Sequence, residues 1–151
     1  MMDTIQQQRA SQIAELTFQL LANCQEKEAR LAESFGISVS DFRTLRMFRT
    51  ETELHTKTLV ERVRVSNSRL TRILDELEGK KFLTRFLDPA DRRSMIVRLT
   101  PKGVALVEKL ENRYIAIHEE ILEGIPEELH EPLLIGLQKL LKSLERWLRE
   151  S

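Results

Sequence analysis

Residues 70–103 read LTRILDELEGKKFLTRFLDPADRRSMIVRLTPKG, and this stretch decides the fold. Its first part has the apolar spacing of an amphipathic helix, and two short runs rich in strand formers follow at residues 82–87 and 95–99. Between them, Asp88-Pro89-Ala90-Asp91 predicts a type I turn. A further helix then starts at Thr100-Pro101, where Thr can cap and Pro needs no N–H partner. This order predicts a winged helix-turn-helix, in which one helix enters a DNA groove and a basic hairpin reaches the next groove.

The charge of the chain is divided between two regions. From Arg62 to Lys102 there are eleven Lys or Arg and five Asp or Glu, a net charge of +6. The whole chain has 24 of each kind, so the remainder carries a net charge of −6. Nucleic acid is the natural partner for the basic region, because neutralising phosphates releases counterions.

Length and composition indicate one globular domain. A chain of 151 residues with 41% hydrophobic and 32% charged residues can bury a core and is far from the disordered range. No apolar run approaches the roughly 18 residues of a membrane span, and the polar N-terminus has no secretory signal. One Cys permits no intrachain disulfide, so we expect a cytoplasmic protein.

The first half of the chain predicts three helices. Residues 4–33 form one long helix that ends at Gly36, which readily adopts the left-handed conformation. Ser40 is the predicted N-cap of a short helix, and residues 50–56 are a connector with room for a strand of one or two residues. Thr58 is the predicted cap of the third helix. The second helix should turn three aromatic and aliphatic side chains inward: Phe42, Leu45 and Phe48.

A tight turn at Val63-Arg64-Val65 leads to the fourth helix, for which Ser66 is the predicted N-cap and Gly79 the predicted end. Two helices joined by so short a turn form a helix-turn-helix unit. The apolar positions of the fourth helix recur at a helical period and predict its buried face: Leu70, Ile73, Leu74 and Leu77.

Two long helices complete the chain, separated by Gly124 and Pro126. The last one runs from about residue 127 to 149 and has a wide apolar stripe in steps of three and four: Leu133, Leu137, Leu140, Leu144 and Trp147. An exposed stripe of this length predicts a helix-to-helix homodimer. The alternative is that the terminal helices pack only on each other within one chain.

Four motifs in this order resemble the MarR family of transcriptional regulators. They are Ser66–Arg72 (SNSRLTR), Leu77–Lys81 (LEGKK), Asp88–Arg93 (DPADRR) and Leu99–Gly103 (LTPKG). The resemblance implies a homodimer that binds a pseudo-palindromic DNA site, most often as a repressor, and that is released or retuned by a small ligand. The chain departs from the family at Val63-Arg64-Val65, which lacks the small residue often found in that turn.

The expected fold is therefore mainly α with a small β-hairpin wing. It is a single MarR-type domain over residues 1–151, with a winged helix-turn-helix DNA-binding lobe at about residues 38–103. The N- and C-terminal segments, about residues 1–36 and 104–151, are expected to form a helical dimerisation lobe.

The N-terminal part of the fourth helix should face the major groove of DNA. Matching the family pattern, we expect Arg72 to read bases and Arg69 and Thr71 to be divided between bases and phosphates. The alternative is that these arginines are only a solvated helix face. Short hydrogen-bonding side chains precede them at the helix start: Ser66, Asn67 and Ser68.

The resemblance also assigns roles at the wing tip. Asp91 would form an ion pair with either Arg92 or Arg93, and the other Arg would enter the minor groove. The sequence leaves open which Arg does which, and an ordinary charged hairpin tip is the alternative. Further basic residues are general phosphate candidates: Lys57, Lys80, Lys81 and Arg98.

No catalytic, metal or cofactor motif is present in the sequence, so we expect neither an enzyme nor a cofactor. Cys24 lies in register with the apolar stripe of the first helix, which predicts a buried, inert thiol. A small-molecule effector would bind between the dimerisation helices and the DNA-binding lobe, where Arg46 could meet an anion or form an ion pair. The competing hypothesis is a winged-helix protein-interaction module without specific DNA binding.

Overall fold

The computed structural model describes the backbone of residues 2–151 and the side chains from residue 4 onward, so residue 1 of the predicted 1–36 segment lies outside it. The fold is mainly helical with a small antiparallel sheet, as predicted. In chain order the elements are α1 (Met2–Ser34), α2 (Val39–Arg46), β1 (Glu53–His55), α3 (Thr56–Val63), α4 (Asn67–Gly79), β2 (Leu83–Leu87), β3 (Met95–Leu99), α5 (Pro101–Leu122), a 3-10 turn (Glu127–Leu129) and α6 (His130–Glu150).

The wing is a three-stranded antiparallel sheet in the order β1-β3-β2. Leu54 of β1 and Arg85 of β2 both pair with Val97, so β3 is the central strand. The predicted hairpin is confirmed to within one residue. The connector at residues 50–56 supplies β1, whose three residues join the sheet to the start of α3.

One apolar core lies beneath the helix-turn-helix and the sheet. The side chains that were predicted to point inward from α2 and α4 are all buried, which confirms the periods read from the sequence. Leu59 of α3 and Val97 of β3 complete this core, and neither is exposed. The exposed face of α4 therefore lies above a well-packed apolar core.

The predicted cap of α2 is wrong. The N-cap is Ser38, because Ser38 and Asp41 form a capping box: Asp41 N–H donates to Ser38 Oγ (3.0 Å), and Ser38 N–H donates to Asp41 Oδ2 (3.3 Å). Two reciprocal bonds satisfy two of the unpaired donors at the helix start, whereas Ser40 would satisfy one at most.

One other helix end also differs from the prediction, at the start of α3, whereas α4 ends at Gly79 as predicted. Helix α3 begins at Thr56, so Thr58 lies inside it, and His55 occupies the N-cap position without a side-chain cap. Gly79 is the last residue of α4, and the left-handed residue beyond it is Lys81 (φ 66°). Gly36 (φ 68°) also ends α1 as predicted.

Helix α5 starts directly beneath the wing. Thr100 Oγ1 accepts the Gly103 N–H (3.1 Å), which confirms the predicted cap, and Thr100 N–H donates to the Phe82 carbonyl (3.0 Å). A Cβ atom on Gly103 would lie only 1.9 Å from that same carbonyl oxygen. Only a residue without a side chain fits against the strand at this point.

The chain divides into two compact units. The first ends at Glu111 and the second is Asn112–Ser151, so helix α5 contributes to both. In the first unit Cys24 is exposed, so the predicted burial of its thiol is wrong for a single chain. The five stripe residues of α6, in the second unit, are between 39% and 63% exposed. No helix among residues 2–151 has the length and apolar character that a bilayer crossing requires.

Candidate nucleic-acid interface

The start of α4 is fixed by its own sequence. Ser66 Oγ accepts the Arg69 N–H (3.2 Å), as predicted, and also lies 3.2 Å from the Ser68 Oγ. The first N–H groups of a helix have no partner within it, so this end carries partial positive charge. Ser66, Asn67 and Ser68 are all exposed there.

The exposed surface of α4 has two flanks. Ser68 and Arg72 are four residues apart and lie on the same face, away from the buried leucines. Together with Arg69 they line a cleft of about 510 Å³ beside the first turn of α2. On the other flank, Asn67 and Thr71 line a smaller cleft towards β2 and β3, where Thr71 Oγ1 donates to the Asn67 carbonyl (2.9 Å).

Two consecutive turns build the wing tip. Asp91 N–H donates to the Asp88 carbonyl (3.2 Å), as expected for the predicted turn, and Ser94 N–H donates to the Asp91 carbonyl (2.9 Å). Each turn is braced by the side chain of its first residue: Asp88 Oδ1 accepts the Ala90 N–H (2.9 Å), and Asp91 Oδ1 accepts the Arg93 N–H (3.0 Å).

The ion pair predicted for Asp91 is not formed by any described residue. Its carboxylate braces the turn through the backbone N–H of Arg93 instead. The Arg93 N–H lies only two residues after Asp91 in the same turn, and bonding to it does not require a long arginine side chain to become ordered. The side chains of Arg92 and Arg93 are consequently both exposed and unpaired within residues 4–151.

Several basic residues of this region are neutralised by acidic partners. Arg62 pairs with Glu51, Arg98 pairs with Glu53, and Lys80 bridges Asp41 and Glu76. Arg85 pairs with Asp75 and Glu78. The predicted phosphate candidates Lys80 and Arg98 therefore have much of their charge compensated by the protein.

A second group of basic residues makes no ion pair with any residue from 4 to 151. Its members lie on the helix-turn-helix turn, on α4 or just beyond it, and at the wing tip: Arg64, Arg69, Arg72, Lys81, Arg92 and Arg93. All six are exposed. Six uncompensated positive charges therefore lie on the surface that the sequence assigns to DNA.

Arg85 joins the wing to α4. Its Nε and Nη2 donate to Glu78 Oε2 (3.2 and 2.7 Å), its backbone N–H donates to Glu78 Oε1 (3.2 Å), and Nη2 also pairs with Asp75. Burial alone would lower the pKa of Arg85, but these hydrogen bonds outweigh it and raise the pKa. The sequence contains no local signal for this cluster, because its members lie on different elements.

Lys80 joins the end of α4 to α2. The carboxylate of Asp41 is fully buried, and Lys80 Nζ donates to its Oδ2 and to Glu76 Oε1, each at 3.1 Å. Burial acts to lower the pKa of Lys80, and the two acidic partners raise it by more. A buried carboxylate is costly unless it is paired, so this contact fixes where α4 ends relative to α2.

The structure also places the residue proposed for an effector. Arg46 Nε lies 3.3 Å from Glu111 Oε2, so the predicted ion pair is present. Both residues line an open cleft of about 530 Å³ with Met47, Arg49 and Val107. Among the residues that the structure describes, no group of His, Cys, Asp or Glu is arranged to hold a metal ion.

A capped recognition helix after a tight turn, flanked by a basic antiparallel wing, defines the winged helix-turn-helix class of DNA-binding proteins. Residues 37–95 match the sequence model of the MarR family. This match covers the helix-turn-helix and most of the wing, and it confirms the resemblance to MarR-family transcriptional regulators that the motifs predicted.

Several relatives and solved structures are similar to this chain. The HTH-type transcriptional regulator YkoM of Bacillus subtilis is 23% identical over 87% of this chain and 86% of its own length. Wild-type MarR from E. coli is 26% identical, with a TM-score of 0.67 over 82% of this chain and 94% of that one. The S. aureus MepR–DNA complex aligns with a TM-score of 0.72 at 23% identity, covering 87% and 97% of the chains. Bordetella bronchiseptica BpsR, whose DNA binding is regulated by 6-hydroxynicotinic acid, has a TM-score of 0.64 at 22% identity over 83% and 98%.

Proposed function

We propose that this protein is a sequence-specific double-stranded DNA-binding regulator that acts as a homodimer on a pseudo-palindromic operator. The observation that carries the proposal is the division of the basic residues. Within the basic lobe, Arg62, Lys80, Arg85 and Arg98 are paired with acids, whereas the basic residues on the turn, on the exposed face of α4 and at the wing tip make no ion pair with any described residue. Free cations in this arrangement fit two successive grooves of one DNA face.

The exposed apolar stripes support the homodimer. Leu137 and Leu144 of α6 are 47% and 51% exposed, and Leu16 and Leu20 of α1 are 58% and 53% exposed. An exposed apolar stripe on a helix is typical of a protein–protein interaction site. The two α4 helices of such a dimer would read half-sites about 34 Å apart.

The direct test is fluorescence anisotropy with DNA from immediately upstream of the gene, compared with a scrambled duplex of the same composition, over a salt series. We expect a preference of about a thousandfold for the upstream DNA and a steep loss of affinity with salt. Equal binding to both duplexes would contradict a specific operator at that place. No binding even at low salt would favour the protein-interaction module instead.

Arg72→Ala should reduce sequence discrimination at one base pair. A guanidinium can present two donors to guanine O6 and N7, and its loss is expected to cost about 1–3 kcal/mol at that position alone. Anisotropy with a panel of singly substituted operators measures this. Arg98→Ala is the matched control, since Arg98 is also exposed on this lobe but already paired with Glu53. An equal loss on every duplex would make Arg72 a phosphate contact.

We also propose that the protein represses transcription in the cytoplasm and responds to a small anionic effector in the cleft beside Arg46. The volume of the cleft lies in the range of small-molecule sites, and Arg49 adds a positive charge beside the ion pair of Arg46 with Glu111. Because DNA binding by BpsR is regulated by 6-hydroxynicotinic acid, that acid is the first probe. Release of the operator in wild type but not in Arg46→Met would support the site, and release in both would place the ligand elsewhere.

A further inference from the structure

Arg64 adopts a backbone conformation that suits glycine. It is the C-cap of α3, with φ 58° and ψ 48°, and its N–H donates to the Val60 carbonyl (2.9 Å). The Cβ of an L-residue in this left-handed region lies too close to the following carbonyl oxygen. A residue with a side chain at this position therefore destabilises the folded state relative to glycine. A strained residue of this kind persists where something else favours its side chain.

Packing within the chain does not favour the Arg64 side chain. It is exposed and makes no hydrogen bond or ion pair with residues 4–151. Arg62, only two residues earlier, is different: its guanidinium donates to the Met47 carbonyl (2.9 Å) and pairs with Glu51. Arg62 therefore stabilises the fold, whereas the Arg64 side chain makes no hydrogen bond or ion pair within residues 4–151 that would do so.

Two other basic residues have the same backbone strain. Comparison with them separates an interaction of Arg64 with the helix dipole from an interaction that depends on its position before α4. Arg49 (φ 54°) and Lys81 (φ 66°) are also exposed non-glycine residues at the ends of helices. A cation near a helix C-terminus interacts favourably with the helix dipole, and this applies to all three. Only Arg64 also lies two residues before Ser66, at the positively charged start of α4.

We propose that Arg64 binds a phosphate of the DNA backbone, next to the phosphate that faces the N-terminus of α4. This inference rests on the proposed function. Turn residues that precede a recognition helix lie where the helix end approaches the DNA backbone, and a helix N-terminus is itself a site for phosphate. Arg64 adds a full charge to that partial one, and it orients α4 on the duplex without reading sequence.

The test uses Arg64→Gly in the full-length protein. Glycine relieves the strained φ, so the melting temperature should rise by about 2–4 °C. DNA affinity should fall by a similar factor on operator and scrambled duplex, and the slope of log K against log salt should shrink by about 1.8, which is about 0.9 for each of the two Arg64 side chains of the dimer. A variant that gains stability while losing affinity cannot be explained by a damaged fold.

Two further variants complete the experiment. Arg64→Lys keeps the charge and should keep the salt slope of wild type. Lys109→Ala removes one positive charge from an exposed position on α5, away from the turn, α4 and the wing tip, so its salt slope should be unchanged. A wild-type slope in Arg64→Gly, with wild type binding DNA, would overturn the inference and leave the proposed function intact. Failure of wild type to bind either duplex would overturn the proposed function itself.

Discussion

A chain carrying Leu137→Glu and Leu144→Glu is expected to be monomeric and to bind its operator at least about a hundredfold more weakly than wild type. Both leucines lie on the apolar stripe of α6 and are about half exposed in the single chain, so glutamates there hardly disturb one chain. In a homodimer the same change would bury charge without partners, which is strongly unfavourable. A monomer loses the effective concentration that links two half-site contacts.

Light scattering after size exclusion gives the oligomeric state, and anisotropy gives the affinity. The matched control is Ile135→Glu, because Ile135 is 43% exposed on the same helix but lies on the opposite side from Leu137. The control should remain a dimer with wild-type affinity. A double variant that stays dimeric would move the interface away from α6, and a monomer that retains wild-type affinity would exclude dimeric recognition.

Gly103→Ala is expected to lower the free energy of unfolding by at least about 3 kcal/mol, near the upper end for overpacking. The new methyl carbon would be placed 1.9 Å from the Phe82 carbonyl oxygen, and the obstacle is backbone rather than a side chain that can turn away. Either β2 or the first turn of α5 has to move. Since Phe82 also holds the Thr100 N–H, the movement would break the connection between wing and helix.

Urea unfolding followed by circular dichroism, at one protein concentration for all variants, measures the effect. Gly79→Ala is the control: it adds the same methyl group to a helical glycine that has nothing within 4 Å of the new atom. It should raise stability by about 0.5–1 kcal/mol, because alanine loses less backbone freedom on folding. If Gly103→Ala were as stable as wild type, the approach of α5 to Phe82 would have to be adjustable.

Features encoded by neighbouring residues were predictable from the sequence. The buried period of α4, the Ser66 cap and the turn at Asp88–Asp91 depend on contacts within a few residues, and all are present. The errors arose where two local signals competed. Ser38-Val39-Ser40-Asp41 offers two possible caps, and the capping-box spacing from Ser38 to Asp41 was the signal that decides between them.

The candidate interface was predictable in position but not in charge balance. Arg69, Arg72 and the wing-tip arginines could be named because their place in the elements follows from the motif order. That Lys80 is bound to the buried Asp41, or that Arg98 meets Glu53, depends on which elements pack together in space. Three-residue β1 illustrates the same limit, since its strand exists only through pairing with β3.

The attachment of Arg85 to Glu78 and Asp75 has a consequence for operator architecture. A rotation of the sheet against α4 would break several charged hydrogen bonds at once. The wing and α4 of one chain therefore keep a fixed position relative to each other. In the proposed mode of binding, the bases contacted by α4 and the flanking DNA contacted by the wing tip therefore lie at a fixed spacing. A base pair inserted between these two segments of the DNA should weaken binding, because α4 and the wing cannot move apart to keep both contacts.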